Sequence, residues 1–384
     1  MFLNSTKRRN PALLETAFQM HQTGVIQPDT YVIDLDAFLA NAAQILQEAK
    51  AQEIQLYFML KQVGRNPMLA KRLVKLGYRG AVVVDYKEAA LMMKHQIPLG
   101  HVGHLVQIPK HQLKDIIAYG CEIMTAYTLE KIREINQAAK ELQVIQPIML
   151  RVCKADDLLY SGQLAGFHLD ELTEVVKEVQ QLSHVRLSGV TAFPCFLYQE
   201  DSQEIQPTAN LATVLQAADL LRGLGCVITQ INTPSTTCSA TLKLMKQSGA
   251  THGEPGHGFT GTTPAHVKED LIEKPAVVYV SEVSHTYDGV SYCYGGGLYR
   301  RSHMENALVG TSMQECKHFS VLWPNLDNID YHLGLQGNCH VSDTVLMSFR
   351  FQIFVTRSDV VIVKGISTNQ PEIAGRYDAL GKEL

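Results

Sequence analysis

Residues 54–94 read IQLYFMLKQVGRNPMLAKRLVKLGYRGAVVVDYKEAALMMK and contain the pattern that decides the fold. Apart from Gln55, the run at 54–60 is apolar, as expected for a strand buried on both faces. Asn66 and Pro67 then offer an N-cap and a first-turn proline for a helix. A second apolar run follows at 80–84, so this stretch predicts a strand, a crossover helix and a parallel neighbouring strand.

The same alternation of apolar runs and amphipathic segments continues to about residue 270. Further strands are predicted at 102–107, 122–125, 147–152, 185–191, 226–231 and 250–254. With the first two this makes eight, the number that closes a barrel of parallel strands surrounded by helices. We therefore predict an α/β fold with a (β/α)8 barrel of the TIM type over residues 36–274, and an open doubly wound sheet is the alternative.

After residue 275 the pattern changes. Residues 275–284, 342–355 and 359–366 are rich in β-branched and aromatic residues and are separated by Gly and Asn turns. They predict a smaller, mainly β C-terminal domain over residues 275–384. The N-terminal segment, residues 1–35, contains the apolar run YVIDL, which could supply a strand to that domain.

The composition bounds the class of protein. A chain of 384 residues with 46% hydrophobic residues can bury a large core, and 34 Lys+Arg against 38 Asp+Glu give no electrostatic reason to expect nucleic acid. No apolar run approaches the roughly 20 residues of a membrane span, and no secretory segment follows the polar start. The eight cysteines include no C-x-x-C pair, which is typical of reduced thiols. We expect a cytoplasmic protein with neither nucleic acid nor membrane as a partner.

Lys61 directly follows the first predicted strand. Chemistry in barrels of this type sits at the carboxyl ends of the strands. A lysine amine removed from water there has a lowered pKa, which suits Schiff-base formation with a carbonyl group. The alternative is a lysine whose stem packs on the strand end while its charge stays in water.

The strand ending at Lys61, the helix that begins after Asn66 and the strand at 80–84 with its turn at 85–88 resemble the fold-type III enzymes that use pyridoxal 5'-phosphate (PLP). This group contains alanine racemase, the ornithine and diaminopimelate decarboxylases, and the D-serine dehydratase and D-threonine aldolase branch. The likeness covers nearly the whole chain and is greatest to the YhfX-type alanine racemase-like proteins. It implies PLP bound through Lys61, a small amino acid as substrate, and a homodimer with shared active sites.

Residues 232–240, NTPSTTCSA, follow the predicted strand at 226–231 and open a helix. Hydroxyls and backbone amides at a helix N-terminus suit a phosphate, and an ordinary N-cap turn is the alternative. The resemblance assigns the cofactor phosphate to this loop, with Ser235, Thr236 and Thr237 as its contacts.

Residues 253–257, GEPGH, resemble the E-P-G-R segment of the decarboxylases. By that resemblance Glu254 faces the pyridine nitrogen of PLP and the amide of Gly256 approaches the phosphate, whereas alanine racemases carry an arginine in place of the glutamate. A carboxylate beside the pyridine nitrogen favours the protonated ring, which stabilises negative charge at Cα. His257 replaces the last arginine of the decarboxylase segment, so one contact differs here.

Residues 337–343, GNCHVSD, resemble a decarboxylase segment in which a cysteine of the β domain reaches the active site of the partner subunit. The resemblance makes Cys339 the group that handles a proton at Cα on the side opposite Lys61, and a small buried hydrophobe is the alternative. His340 stands where an acidic residue selects the distal group of the decarboxylase substrates, so His340 and Asp343 are assigned to the substrate.

The resemblance assigns three further positions to the cofactor. Arg151, at the end of the predicted strand at 147–152, matches a decarboxylase L-R segment and would orient a carboxylate or the ring. Phe193 stands where the family has a histidine stacked on the pyridine ring, and an aromatic side chain can still stack there. Tyr377 matches a G-x-Y element whose tyrosine contacts the phosphate, and an exposed tail is the alternative.

The sequence does not predict a metal site, because no H-x-H begins the first strand and His101-x-x-His104 lacks a strong ligand spacing. Part of the D-threonine aldolase branch carries a metal near the substrate. By resemblance to that branch, His285, Cys339 and His340 are the metal candidates.

The sequence therefore predicts a PLP-dependent enzyme that acts at Cα of a small amino acid, with an amino-acid racemase as the first hypothesis. Glu254 and Cys339 favour an amino-acid decarboxylase of the ornithine and diaminopimelate type as the alternative. A D-amino-acid lyase of the dehydratase or aldolase kind is a further alternative. The last alternative, a metal-dependent barrel hydrolase, rests on the histidines alone.

Overall fold

The computed structural model describes residues 2–384, which form two compact units. The barrel unit consists of Ile45–Leu60 and Pro67–Gly256. The β unit consists of residues 2–44, Lys61–Asn66 and His257–Leu384. The segment that begins with Lys61 therefore belongs to a different unit from the strand that precedes it.

The barrel unit is built on parallel strands. In chain order they are Gln55–Leu56 and Phe58–Met59 as two halves of the first strand, Ala81–Val83, Leu99–Val102, Cys121–Ala126, Gln146–Cys153, Val185–Thr191, Gln230–Asn232 and His252–Gly253. One half of the first strand pairs with His252–Gly253 and the other half with Ala81–Val83, so the sheet closes on itself. The predicted barrel of parallel strands is confirmed.

Helices separate these strands, and they are Pro67–Leu76, Tyr86–Lys94, Leu113–Tyr119, Leu129–Glu141, Leu172–Gln180, Ala209–Gly223 and Ser239–Gln247. Local capping explains where two of them begin. The side chain of Asp85 accepts a hydrogen bond from the amide of Glu88, and that of Thr128 accepts one from the amide of Lys131. Shorter elements of this unit are Lys110–Gln112, Phe167–His168, Leu169–Glu171, and the antiparallel pair Phe196–Gln199 and Glu204–Pro207.

The third strand lies earlier than the predicted run at 102–107. Leu99–Val102 forms the strand, and the chain then turns at Gly103, whose φ of +79° is in the left-handed region that favours glycine. The residues after Gly103 therefore belong to the loop at the carboxyl end of this strand. His104 lies in that loop and is buried.

The β unit is organised around one large sheet. In sheet order its strands are Val290–Tyr294, His332–Gln336, Lys317–Leu322, Asn306–Gly310, Thr344–Met347, Val277–Tyr287, Thr30–Asp34, Asp359–Lys364 and Glu372–Asp378. Thr30–Asp34 is parallel to Asp359–Lys364, whereas the other neighbouring pairs of this order are antiparallel. The mainly β character predicted for the C-terminal region is confirmed.

Two N-terminal helices, Phe2–Arg9 and Pro11–Gln22, cover part of this sheet. Their apolar side chains and those of the central strands form one buried cluster, which includes Leu13, Leu14, Phe18, Val32, Val278, Val280, Leu346 and Val361. The remaining helical segments are Leu35–Ala51, Lys61–Val63, His257–Thr260, Ala265–Lys268, Ile353–Val355 and Ile366–Thr368. None of the helices in residues 2–384 is long and apolar enough to cross a membrane.

Candidate active site

Three polar residues lie side by side at the carboxyl end of the barrel. Arg151, Thr191 and Asn232 are register partners on three adjacent strands, so their side chains share a face. They are 2%, 1% and 0% exposed, respectively. Each carries a buried atom that has no hydrogen-bond partner within residues 2–384, namely Nε, Oγ1 and Oδ1 in the same order. Because unsatisfied buried polar atoms are costly, this end of the barrel is suited to a polar ligand.

Arg151 is a buried cation without a carboxylate partner among the described residues. Its Nη1 donates to the hydroxyl of Tyr127 at 3.3 Å, and its Nη2 donates to the carbonyl oxygen of Gln163 at 2.8 Å. The guanidinium carbon lies 5.2 Å from the centroid of the Tyr127 ring, which adds a cation–π contact. These neutral partners leave the positive charge uncompensated, so an anionic group would be stabilised beside Arg151.

Glu254 is a buried anion at the same end of the barrel, just after the last strand. Its Oε1 accepts hydrogen bonds from His101 Nδ1 at 2.6 Å and from Asn232 Nδ2 at 2.6 Å. The other ring nitrogen of His101 is hydrogen bonded to Thr125 Oγ1. His104 Nε2 lies 3.7 Å from Oε2, which is close enough for an electrostatic contact but too far for a hydrogen bond.

The charge of this carboxylate is set by two opposing effects. Burial favours the neutral acid and by itself would raise the pKa of Glu254. The imidazoles of His104 and His101, together with the hydrogen bonds to Oε1, outweigh burial and hold the pKa below its usual range. Glu254 is therefore an ionised carboxylate, and its Oε2 has no hydrogen-bond partner within residues 2–384.

The loop between Gln230–Asn232 and the next helix contains the predicted phosphate contacts. Ser235 and Thr236 have φ values of +105° and +52°, so the backbone turns sharply there. The Thr236 hydroxyl donates to the carbonyl of Phe196 at 3.0 Å, and the Thr237 hydroxyl accepts from the amide of Glu254 at 3.3 Å. These contacts join the loop to the segment that contains Glu254 and Gly256.

Phe193 is half-buried at the carboxyl end of Val185–Thr191. Its ring packs edge-on against His104, with centroids 5.6 Å apart, and against Tyr160 at 5.8 Å. The structure therefore brings Arg151, Phe193, the phosphate loop and Glu254 to one end of the barrel.

The remaining predicted site residues belong to the β unit. Lys61 is half-buried and begins the short helix Lys61–Val63. Cys339 and His340 lie in the loop between His332–Gln336 and Thr344–Met347. The amide of Cys339 donates to Ser291 Oγ at 2.7 Å, and that of His340 donates to Asp343 Oδ2 at 3.1 Å.

Tyr377 is separate from this loop and does not belong to an exposed tail. It lies in the strand Glu372–Asp378, where it pairs with Val360, and it is buried. His257, which replaces an arginine of the decarboxylase segment, is also buried, and its Nε2 hydrogen bonds to the carbonyl of Phe351 at 2.8 Å.

The metal candidates taken from the resemblance do not form a cluster in the part of the chain that the structure describes. His285 is exposed, stacks on Tyr292 with centroids 4.9 Å apart, and is not grouped with Cys339 and His340. Within residues 2–384, the group of three potential ligands close enough to share a cation is His101, His104 and Glu254, whose donor atoms lie within 4.8 Å of one another.

Sequence reasoning gave no role in the cofactor site to five residues, namely His101, His104, Thr125, Thr191 and Asn232, the last of which it named only as the start of the loop 232–240. The pair His101-x-x-His104 was considered only as a metal motif, for which its spacing is weak. His101 lies in the strand Leu99–Val102 and His104 in the loop after it, at the catalytic end of the barrel. The predicted strand at 102–107 begins after His101 and includes His104, which hid this signal.

Comparison with known proteins identifies the family of this chain. Residues 33–264 match the family model described as "Alanine racemase, N-terminal domain", and residues 278–373 match "YhfX-like, C-terminal domain". The chain belongs to the alanine racemase-like family with a YhfX-like C-terminal domain, and the resemblance stated from the sequence is confirmed. It is 47% identical over 385 residues to "Uncharacterized protein YhfX" of Escherichia coli (strain K12), covering 100% of both chains.

Solved structures of low sequence identity share the fold. D-threonine aldolase from Filomicrobium marinum has a TM-score of 0.70 at 15% identity, covering 93% of this chain and 95% of its own. D-threo-3-hydroxyaspartate dehydratase from Delftia sp. HT23 has a TM-score of 0.66 at 17% identity, covering 89% and 95%. Alanine racemase from Clostridium difficile 630 has a TM-score of 0.62 at 17% identity, covering 91% and 98%. At these identities the likeness establishes the architecture alone.

Proposed function

We propose that this protein is a PLP-dependent enzyme that acts at Cα of a small amino acid, as an amino-acid racemase. The observation that carries the PLP-dependent chemistry is the buried, ionised Glu254 at the carboxyl end of the barrel, with one oxygen that has no partner in residues 2–384. The racemase assignment is supported by the match to the alanine racemase N-terminal domain rather than by Glu254. A protonated pyridine nitrogen is the complement of such an oxygen. PLP, when bound, supplies an electron sink for a broken bond at Cα.

The side chains of the barrel unit offer a partner for the ring nitrogen, the ring face and the phosphate of PLP. Glu254 would accept from the ring nitrogen, and the half-buried ring of Phe193 would provide a stacking surface. The loop with Ser235, Thr236 and Thr237, together with the Gly256 amide, would hold the phosphate. The unpartnered polar atoms at the barrel end are consistent with a polar ligand there.

Arg151 would orient an anionic group of the substrate or of the cofactor ring. Its guanidinium is buried and has only neutral partners, so a carboxylate would compensate its charge. An amino acid always carries a carboxylate at Cα, which makes this class of substrate a good match.

The racemase hypothesis needs proton transfer on both sides of Cα. The family resemblance assigns one side to the Lys61 amine and the other to the Cys339 thiol of a partner subunit. Burial raises the pKa of the Cys339 thiol, which keeps the proton on sulfur at neutral pH, as a proton donor requires. We accordingly propose a homodimer with shared active sites. We also propose a cytoplasmic location, because none of the eight cysteines forms a disulfide.

A lyase, either a decarboxylase or a D-amino-acid dehydratase or aldolase, is the second candidate. The ionised Glu254 favours it, because a carboxylate at the ring nitrogen gives the stronger electron sink. A decarboxylase or an aldolase breaks a carbon–carbon bond at Cα, whereas a dehydratase breaks the Cα–H bond, as a racemase does, and then loses the hydroxyl group from Cβ.

The test begins with the absorption spectrum of the purified protein incubated with PLP, before and after borohydride, followed by peptide mass mapping. A yellow band that borohydride abolishes, with a pyridoxyl group left on Lys61, supports the proposed cofactor chemistry. A protein that stays colourless and takes up no PLP overturns it. With candidate amino acids, deuterium uptake from solvent at Cα without loss of carbon supports the racemase. Release of carbon dioxide, of an aldehyde, or of a keto product with ammonia supports the lyase instead.

A further inference from the structure

The environment of Glu254 carries an inference that rests on the proposed PLP function. The side chain is 1% exposed, and its ion-pair partners within residues 2–384 are two imidazoles, His101 and His104. Removing a carboxylate from water without compensation is costly. The two histidines and Asn232 are therefore the groups that stabilise this charge in the protein.

The two carboxylate oxygens of Glu254 have different surroundings. Oε1 accepts from both His101 and Asn232, at 2.6 Å each. His101 is itself held in place, because its second nitrogen is hydrogen bonded to the Thr125 hydroxyl. One oxygen is thus occupied by protein donors, while Oε2 has no hydrogen-bond donor in the described chain.

His104 is placed to act on Oε2 through charge. Its Nε2 is 3.7 Å from that oxygen. The ring is held edge-on between two other rings, with its centroid 5.0 Å from His101 and 5.6 Å from Phe193. Because the imidazole is buried and its contacts are aromatic on two sides, its position relative to Glu254 is well defined.

We propose that His101 and His104 are positioning residues that keep Glu254 ionised and leave its Oε2 for the pyridine nitrogen of bound PLP. The pair thereby holds that nitrogen in its protonated state and sets the strength of the electron sink. The donor atoms of these three residues could also meet on a metal ion. The hydrogen bonds at both nitrogens of His101 argue against it, since a metal would have to displace the proton that His101 shares with Glu254.

The experiment measures binding, by fluorescence titration, of PLP and of its analogue in which a C–H group replaces the ring nitrogen. A charge-assisted hydrogen bond to the ring nitrogen should make the wild-type protein prefer PLP by roughly ten- to a hundredfold. His101→Leu and His104→Leu should each reduce this preference, and Glu254→Gln should abolish it. His101→Asn keeps a donor near the Nδ1 position, so it should restore part of the preference lost in His101→Leu.

His252→Gln is the matched control. His252 is also buried in the barrel, where it stacks on Tyr57 with centroids 5.5 Å apart. Its Nδ1 hydrogen bonds to Thr251 at 2.7 Å, and its interaction with Glu254 is electrostatic, without a hydrogen bond. The control should retain the wild-type preference. A loss of preference in the control as well would assign the effect to general disruption of the barrel and overturn the proposal.

The outcomes separate this inference from the function on which it rests. If the wild-type protein binds neither compound, the PLP function itself fails. If it binds PLP and forms the Lys61 adduct while both histidine variants keep the full preference, the inference fails and the function stands. Stoichiometric Zn²⁺ binding by equilibrium dialysis that is lost in His101→Asn and His104→Gln would overturn the inference in favour of a metal site.

Discussion

Two carboxylates, Glu254 in the barrel unit and the half-buried Asp29 in the β unit, have pKa values shifted in opposite directions. In the barrel unit, the pKa of Glu254 is lowered, because neighbouring imidazoles and hydrogen bonds outweigh burial. In the β unit, burial raises the pKa of Asp29 to about 6, although Ser358 and Tyr279 donate hydrogen bonds to it. The charge of Glu254 is thus kept against the cost of burial, whereas burial pushes Asp29 toward its neutral form.

The same contrast holds for the other candidate residues. Arg151 in the barrel unit is a buried positive charge whose hydrogen-bond partners are neutral, so an anion beside it would be stabilised. Cys339 and His340 in the β unit are less buried, and their backbone amides are satisfied locally by Ser291 and Asp343. The barrel end therefore holds buried charges and unpartnered polar atoms, whereas the described contacts of the loop at 337–343 are backbone hydrogen bonds within the β unit.

The largest expected effect is that of Lys61→Ala. If the lysine forms the covalent link to PLP and moves the proton at Cα, turnover should fall by roughly a thousandfold or more. The borohydride-stable pyridoxyl label should also disappear from the peptide map. Lys71→Ala, an exposed lysine of the helix Pro67–Leu76, is the control and should keep both. Full labelling of Lys61→Ala at another lysine would move the covalent site away from the segment Lys61–Asn66.

Cys339→Ala should lower racemisation by roughly a hundredfold, because it removes the proposed acid on one side of Cα. If the cysteine serves the partner subunit, mixing Lys61→Ala with Cys339→Ala subunits should restore active sites that neither variant has alone. Cys316→Ala, another half-buried thiol of the β unit, is the control and should remain active. A monomer in solution with full activity would remove the shared-site role of Cys339.

Arg151→Met should act in opposite directions on stability and on function. Replacing an uncompensated buried charge by an apolar side chain of similar length should stabilise the unliganded protein by about 1–3 kcal/mol. The same change should raise KM for the amino acid, since its carboxylate loses the guanidinium. Chemical denaturation without ligand, together with steady-state kinetics, measures both. A destabilised variant with unchanged KM would show that Arg151 is a structural residue.

The smallest effects are the pH dependences of stability, which should have opposite signs in the two units. The folded-state pKa of Asp29, about 6, lies above its unfolded value, so its contribution to stability is greatest in acid and is lost as the pH rises toward 6. Asp29→Asn should remove this loss of stability with rising pH. The variant should therefore be more stable than the wild-type protein at neutral pH, by on the order of 2 kcal/mol. Denaturant unfolding from pH 4 to pH 7 measures the difference.

For Glu254 the sign is reversed. Its folded-state pKa lies below the unfolded value, so its contribution is present above the unfolded pKa and is lost as the pH falls through the folded one. The stability difference between the wild-type protein and Glu254→Gln should therefore shrink on acidification. A difference that grows toward low pH would show that this carboxylate is protonated in the folded protein, and the contrast between the two units would fail.

Part of the fold could be predicted because it depends on local pattern. The apolar run at 54–60 and the runs after it alternate with capped helices, and such alternation requires parallel strands joined by crossovers. Where apolar residues continue across a turn, the predicted strand does not coincide with the observed one. The apolar residues at 102–107 predicted a strand, but the left-handed conformation of Gly103 ends it at Val102.

The sequence by itself determined the parallel barrel, the mainly β C-terminal region and the family, because these follow from periodicity, turn residues and motifs that are close together in the chain. Only the tertiary structure decided that His101, Glu254 and Asn232 meet. His101 and Glu254 are 153 positions apart, one in the third strand of the barrel and the other just after the last strand, and their side chains become neighbours only when the sheet closes. The tertiary structure also decided the charge of Glu254, since the pKa of a group depends on what surrounds it in space and not only on its neighbours in the chain.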